Sequence, residues 1–195
     1  SYALQNIRLE LLADQGRIEV PALEATLLGG NVTGRLSVDL AGGDLAGASY
    51  RMSGHFANIN SYLLTRYAAI PRDDGVVNGN LEFRGSGLNP EEQMVLDGHF
   101  YITQIGPTAA ANLLNYLDPE AKDSGISTSR MLIRNGFKPK LMSFDFRNLH
   151  MYPVIEFAKP WYLPRGLDRI ELNRIPLQFF MNRMRARAGW ETASR

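Results

Sequence analysis

The sequence predicts a mainly β protein with a few helices (α+β), in which a strongly curved antiparallel sheet forms an apolar groove or half-barrel and the helices cap it. Three observations carry that prediction. Through most of the first two-thirds of the chain apolar residues alternate with polar ones, the period of a half-buried strand. Thr33-Gly34-Arg35-Leu36, Ser53-Gly54-His55-Phe56, Asn78-Gly79-Asn80-Leu81 and Asp97-Gly98-His99-Phe100 repeat one polar–Gly–polar–apolar unit, with glycines 20, 25 and 19 residues apart. A glycine inside a strand permits a bend or bulge, so four matching ones predict stacked strand units in a curved sheet. Finally, the longer helix-type patterns begin only at Pro107.

Each element follows from local pattern. Ile7, Leu9 and Leu11 alternate with Arg8 and Glu10 in a first strand, and Asp14-Gln15-Gly16 turns the chain. Ile18, Val20 and Leu23 make a second strand in which Pro21 demands an edge or a bulge. After Gly29-Gly30-Asn31, Val32, Leu36, Val38 and Leu40 share a face. Beyond the Ala41-Gly42-Gly43-Asp44 loop, Tyr50, Met52 and Phe56 oppose Arg51, Ser53 and His55. Asn60 caps a short helix, Ser61 to Ala69, that Pro71 ends. Strands Val76–Arg84 and Met94–Ile105 follow, joined by a Gly-Ser-Gly-Leu-Asn-Pro-Glu-Glu loop.

From Pro107 the character changes. Thr108–Leu117 is a helix with Leu113, Leu114 and Leu117 on one face. A second runs from about Ser127 to Asn135, with Met131, Leu132 and Ile133 partly inward and Gly136 as its stop. Lys140–Leu149 alternates Met142, Phe144 and Phe146 with Ser143, Asp145 and Arg147. Met151–Phe157 is a strand containing Pro153, and a last strand near Leu167–Ile175 leads into a helix opening at Pro176. Leu177, Phe180, Met181 and Met184 form that helix's apolar stripe. Residues 1–106 thus read as a repeated antiparallel β unit with one inserted helix. Residues 107–188 add helices, strands and an amphipathic C-terminal helix to the same structural unit, and 189–195 form a disordered tail.

Composition bounds the function. The chain has 195 residues, 45% of them hydrophobic and 21% charged, which excludes wholesale disorder. A net charge of +1 argues against a dedicated nucleic-acid binder. The absence of cysteine removes disulfides, thiol catalysis and Cys-ligated zinc together. No apolar run is long enough to span a bilayer as a helix. The start at Ser1-Tyr2-Ala3-Leu4 has no basic, then apolar, leader pattern and suggests a piece of something longer. From Lys159 onward eight basic residues face three acidic ones. Arg183, Arg185 and Arg187 crowd the end of the last helix, where they complement the helix dipole, face anionic headgroups or meet a partner protein.

Catalytic patterns are missing. There is no G-x-S-x-G elbow, no H-E-x-x-H, no phosphate-binding loop and no G-x-G-x-x-G. His55 and His99 occupy matching places in two similar strands and are candidate neighbours on the polar face, where Asp97 would complete a metal site. Matched outward-facing strand residues are more often plain surface, so neither metal nor cofactor is expected. Asp73-Asp74 and Glu91-Glu92 read as solubilising turns, and Asp118 as a capping or turn residue. Phe56, Phe83, Phe100, Phe144, Phe146 and Phe157 all fall in strands. They fill either a closed core or a groove left open for an acyl chain, and periodicity alone does not separate the two.

Gly16-Arg17-Ile18-Glu19-Val20, Leu23-Glu24-Ala25-Thr26-Leu27-Leu28-Gly29-Gly30 and Val32-Thr33-Gly34 together resemble the repeat of AsmA-like envelope proteins. The helix-type Ile59-Asn60-Ser61-Tyr62-Leu63-Leu64, then Gly75-Val76-Val77-Asn78-Gly79-Asn80-Leu81, then Leu96-Asp97-Gly98-His99-Phe100 into Ile105-Gly106, continue the likeness. It spans Leu9 to Ile105 and extends to Phe157. The resemblance to this family and to related TamB-like proteins implies a non-enzymatic C-terminal module of a periplasmic protein, tethered to the inner membrane by an anchor outside this chain. It further implies binding or conduction of phospholipid or another acyl lipid, in support of lipid transport or outer-membrane biogenesis. No catalytic residue is defined for that family. Met52, Phe56, Leu81, Phe83, Phe100 and Ile102 are the expected groove residues. The alternative is an assembly module that docks an inner- or outer-membrane protein through a sheet edge or the basic last helix, with Phe180, Met184, Arg183, Arg185 and Arg187 as the contact. A third class, a hydrolase using histidine or paired carboxylates, has no motif behind it.

Overall fold

The computed structural model describes residues 4–40, 47–61, 75–87, 95–118, 120, 122–158 and 166–178. Within them β1 (Leu4–Leu9), β2 (Leu12–Asp14), β3 (Arg17–Leu27), β4 (Gly30–Asp39), β5 (Ser49–Asn60), β6 (Val76–Ser86) and β7 (Val95–Gln104) come first. Helices α1 (Pro107–Leu117) and α2 (Ser124–Arg134) follow. Then come β8 (Pro139–Arg147), β9 (His150–Phe157), β10 (Arg169–Glu171) and β11 (Ile175–Pro176). The protein is mainly β with two described helices, and its strands make one open antiparallel sheet.

Strand order is β1-β3-β4-β5-β6-β7-β8-β9-β10, so from β3 onward each strand lies beside its predecessor in sequence. Segments β1 and β2 are two halves of one bent strand, both paired with β3. The bend lies where β3 shifts register between Val20 and Leu23. Pro21 falls inside that irregularity, the position a residue without an N–H requires. Pro153, in contrast, sits within β9. Its carbonyl accepts from Leu172 N across the gap between β10 and β11. Its nitrogen points the same way, away from β8, so the β8–β9 ladder loses no donor.

A second irregularity separates Phe56 from Ile59 on β5. There Asn58 adopts a φ of 58° and its N–H donates to Asn78 Oδ1 at 2.6 Å, while Asn78 Nδ2 donates to Gln104 Oε1 at 2.7 Å. One amide side chain therefore seals a bulge and bridges to the next strand.

Both helices pack into one core with the sheet's apolar face. Ile102, Met142, Phe144, Met151, Ile155 and Phe157 meet Leu114 and Leu117 of α1 and Ile126, Leu132 and Ile133 of α2. Helix α1 starts at Pro107, whose missing N–H costs nothing in the first turn. Helix α2 begins three residues earlier than its apolar pattern suggests. Asp123 Oδ1 accepts from Gly125 N at 2.7 Å and Ile126 N at 3.2 Å, while Oδ2 accepts from Asn173 N at 2.6 Å. The same buried carboxylate thus caps the helix and ties it to the segment after β10. Gly136, at φ 86°, ends α2, and Phe137 N closes on Leu132 O. Met131 is a correction, for it is exposed. Three consecutive helical residues fan over about 200° and cannot all face one core.

Ser129 is fully buried in α2, and its hydroxyl has no hydrogen-bond partner among the described residues. A desolvated, unpaired hydroxyl destabilises the fold. Ser129→Ala is expected to raise stability by about 1 kcal/mol, read by urea denaturation. A loss of stability would mean that the hydroxyl is satisfied.

The expected single strand over Leu167–Ile175 is instead two short strands, β10 and β11, with Leu172 buried in the gap between them. The expected helix Ser61–Ala69, apart from Ser61, lies outside the described residues. So do the Ala41–Asp44 loop, most of the loop before β7, the C-terminal helix beyond Gln178 and the 189–195 tail.

Candidate functional site

Register sorts the apolar side chains into rows that cross the strands. One row runs Leu23, Gly34, Gly54, Leu81, Phe100, Phe144 and Pro153, from β3 to β9. A second runs Ala25, Val32, Phe56, Gly79, Ile102, Met142 and Ile155. A third runs Val20, Leu36, Met52, Phe83, Gly98, Phe146 and Met151. Strand side chains alternate between faces, so these rows share one face of the sheet. Met52, Phe56, Leu81, Phe83, Phe100 and Ile102 all lie on it.

They do not share one environment. Ile102 is 5% exposed inside the core that the sheet forms with the helices. Phe56 and Phe100 are half-buried at the margin of that core, stacked with ring centroids 5.5 Å apart. Met52 is 37% exposed, and Leu81 and Phe83 are half-buried outside the core cluster. Val20, Leu23, Leu36, Val38 and Tyr50 are likewise half-buried and outside it. The apolar face therefore has a closed part, under the helices, and a part reaching from β6 to β1 that neither described helix covers. Five strands side by side, β1 and β3 to β6, span about 19 Å. Phe180, Met184, Arg183, Arg185 and Arg187 lie outside the described residues.

The glycines have a role that single-strand reading misses. Tyr50 sits opposite Gly85, Phe56 opposite Gly79 and Phe83 opposite Gly98. In each pair the aromatic ring lies where a Cβ on the glycine would be. Such a carbon would stand 2.5 Å from Tyr50 Cζ at Gly85, 2.9 Å from Phe56 Cε2 at Gly79 and 2.6 Å from Phe83 Cδ1 at Gly98. The rings thus lie across the glycines and put aromatic carbon where those positions have no side chain. The four repeated glycines do not form one row. Gly34 and Gly54 are opposite each other, whereas Gly79 and Gly98 fall in different rows. Within the uninterrupted pairing of these strands Gly54 faces Leu81 and Gly79 faces Ile102, so each later unit is offset from the one before it.

The opposite face is polar. His55 Nδ1 pairs with Asn80 Oδ1 at 2.7 Å and His99 Nδ1 with Asp145 Oδ1 at 2.7 Å. The two histidines are separated by β6, one row apart, and each has its own partner. The expectation that they neighbour each other fails, because equivalent positions in similar strands need not share a register row. No group of three metal-ligating side chains occurs among the described residues. Tyr101 stacks on His99 with centroids 5.7 Å apart. Partial burial, then the charges of Asp145 and Glu82, hold its phenol above the ordinary tyrosine range. An open depression of about 610 Å³ near these strands is lined by Arg51, Arg84 and Arg147 together with Glu82, Asp97 and Asp145. Its lining thus carries both signs of charge, with His99 beside them. No helix among the described residues is long and apolar enough to cross a membrane.

No protein-family model, curated protein or solved structure matches this chain.

Proposed function

We propose that the chain is a non-enzymatic lipid-binding module whose uncovered apolar face, floored by rings laid across glycine, curves into a groove holding the acyl chains of phospholipid. The observation that carries this reading is the division of one face. The helices close its β7–β10 part, while side chains from Met52 back to Leu23 stay half-exposed without described cover. Contiguous apolar surface of this kind marks a binding site more often than solvent-facing sheet. The AsmA-like resemblance supports the same ligand class, and with it a periplasmic location, an inner-membrane tether and a part in lipid transport or outer-membrane biogenesis.

Burial of a methylene contributes about 0.8 kcal/mol, and a chain resting on an open face gains roughly half of that per carbon. Binding therefore scales with chain length and depends little on the headgroup.

The test is organic extraction of the purified chain and mass spectrometry of what it carries. Phospholipid in near-stoichiometric amount is expected, at least tenfold reduced in Met52→Asp, with the melting temperature of that variant nearly unchanged because Met52 lies outside the core. A well-folded chain without lipid, or lipid retained in Met52→Asp and Leu36→Asp alike, would overturn the reading.

A further inference from the structure

Charge is spread unevenly over the helical layer. From Ser124 to Phe144 there is no aspartate or glutamate, whereas Arg130, Arg134, Lys138 and Lys140 all fall there, in a chain whose net charge is +1. Helix α2 sorts its residues into two opposed stripes. Ile126, Ser129, Leu132 and Ile133 are buried on the inner one. Ser127, Arg130, Met131 and Arg134 fall at i, i+3, i+4 and i+7 and make the outer one. With Asn135 they line an open hollow of about 310 Å³. Met131, in the middle of the stripe, is 51% exposed.

No described carboxylate neutralises these cations. None of the four belongs to an ion pair among the described residues. The acids of the neighbouring segments are already engaged. Asp123 caps α2 and accepts from Asn173 N, Glu120 pairs with Lys122, and Glu156 and Glu171 pair with Arg169. Arg134 lies in the last turn, where it complements the helix dipole. That effect fades within one turn. It gives no account of Arg130, a turn earlier, or of an exposed methionine set between two arginines.

We infer that the outer face of α2 docks on an anionic lipid surface, with Arg130, Arg134 and the exposed Lys138 at the lipid phosphates and Met131 entering between the headgroups. Charge complementarity selects this occupant, because the stripe offers cations and one apolar side chain but no carboxylate. Each basic residue near an anionic surface strengthens binding about fivefold, so three give about a hundredfold. The contact is therefore reversible and weakened by salt. Helix α2 packs on the apolar side of the sheet, the side that also carries Met52 and Phe83. Docking thus turns that side, and not the polar one, toward the bilayer. The groove and the docking face make different demands, since the first is indifferent to the headgroup and the second depends on its charge. Docking does not require that the groove hold lipid.

Cosedimentation of the whole chain with vesicles tests it. Binding is expected to vesicles of phosphatidylcholine and phosphatidylglycerol in equal parts, and not to phosphatidylcholine alone. It is expected to fall as sodium chloride is raised. Arg130→Gln together with Arg134→Gln should weaken it about thirtyfold. The melting temperature should stay near the parent's, because neither side chain belongs to the core. Arg51→Gln together with Arg84→Gln removes two cations from the polar face and should leave binding nearly unchanged, which separates a site from net charge. Met52→Asp should bind vesicles as the parent does, so a failed groove and a failed docking face are told apart. No binding to the anionic vesicles, equal binding to the neutral ones, or an Arg130→Gln, Arg134→Gln variant that binds like the parent would overturn the inference. Release by inorganic phosphate at an ionic strength where sodium chloride has no effect would mark a site for free phosphate and overturn it as well. Since the parent lacks cysteine, Met131→Cys carrying an environment-sensitive dye gives a second readout. Its emission is expected to shift to the blue on anionic vesicles, and an unshifted spectrum while the chain is bound would exclude this face.

Discussion

Gly79→Ala is expected to destabilise the protein by about 3 kcal/mol, the upper range for overpacking, which lowers the melting temperature of a chain this size by about 6–12 °C. The sign is diagnostic. Replacing a strand glycine by alanine normally stabilises, because glycine loses the most backbone freedom on folding. At Gly79 a Cβ would be forced against the Phe56 ring and the backbone carbonyl of Tyr101. The ring is one source of the clash and the carbonyl the other, so the two are separable. Phe56→Leu in the Gly79→Ala background should recover part of the loss, giving a coupling energy of about 1 kcal/mol or more in a double-mutant cycle. A neutral or stabilising Gly79→Ala, measured by urea denaturation, would mean that Phe56 does not lie across the glycine.

Asp123→Ala is the second large effect, a loss of about 3 kcal/mol. Removing a cap costs about 1 kcal/mol, and losing the charge-assisted bond from the N–H of Asn173 adds about 1.5–3 kcal/mol. Asp123→Asn is expected to fall between variant and parent. Its amide oxygen still caps Gly125 and Ile126, but its NH₂ group cannot accept from Asn173. Equal losses for the two substitutions, in the same denaturation measurement, would show that the tie to Asn173 carries no weight.

These two positions also show what the sequence makes legible and what it hides. The alternation of Tyr50, Met52 and Phe56 against Arg51, Ser53 and His55 assigns faces correctly, because period two is a property of a single strand. Strand positions from β3 to β9 follow from it, and so does the mainly β architecture. Register is a property of two strands. Nothing local to Asn78-Gly79-Asn80 announces that Phe56 will lie over its glycine, and the resemblance among the four glycine units carries no register. The bulge at Asn58 likewise depends on Asn58 and Asn78 finding each other across strands. The start of α2 had a signal, Asp123 at a cap position, but Ser124 and Gly125 weaken the helical pattern behind it. Of the expected groove residues, Ile102 has the same local pattern as Phe100. Only the packing of α1 and α2 over the row of Gly79, Met142 and Ile155 separates the buried side chain from the half-exposed one.

The open meander has a geometric consequence. In a closed barrel the number of strands, their tilt and their stagger are locked together, so inserting a hairpin re-dimensions every strand. Here each strand from β3 onward answers only to the one before and the one after. A hairpin added outside β1 would leave the tilt and pairing of β3 to β9 as they are, and would lengthen the apolar face by about 4.8 Å per strand. The span of that face is therefore a quantity the architecture leaves free, adjustable strand by strand at one end while the helix-covered end stays fixed.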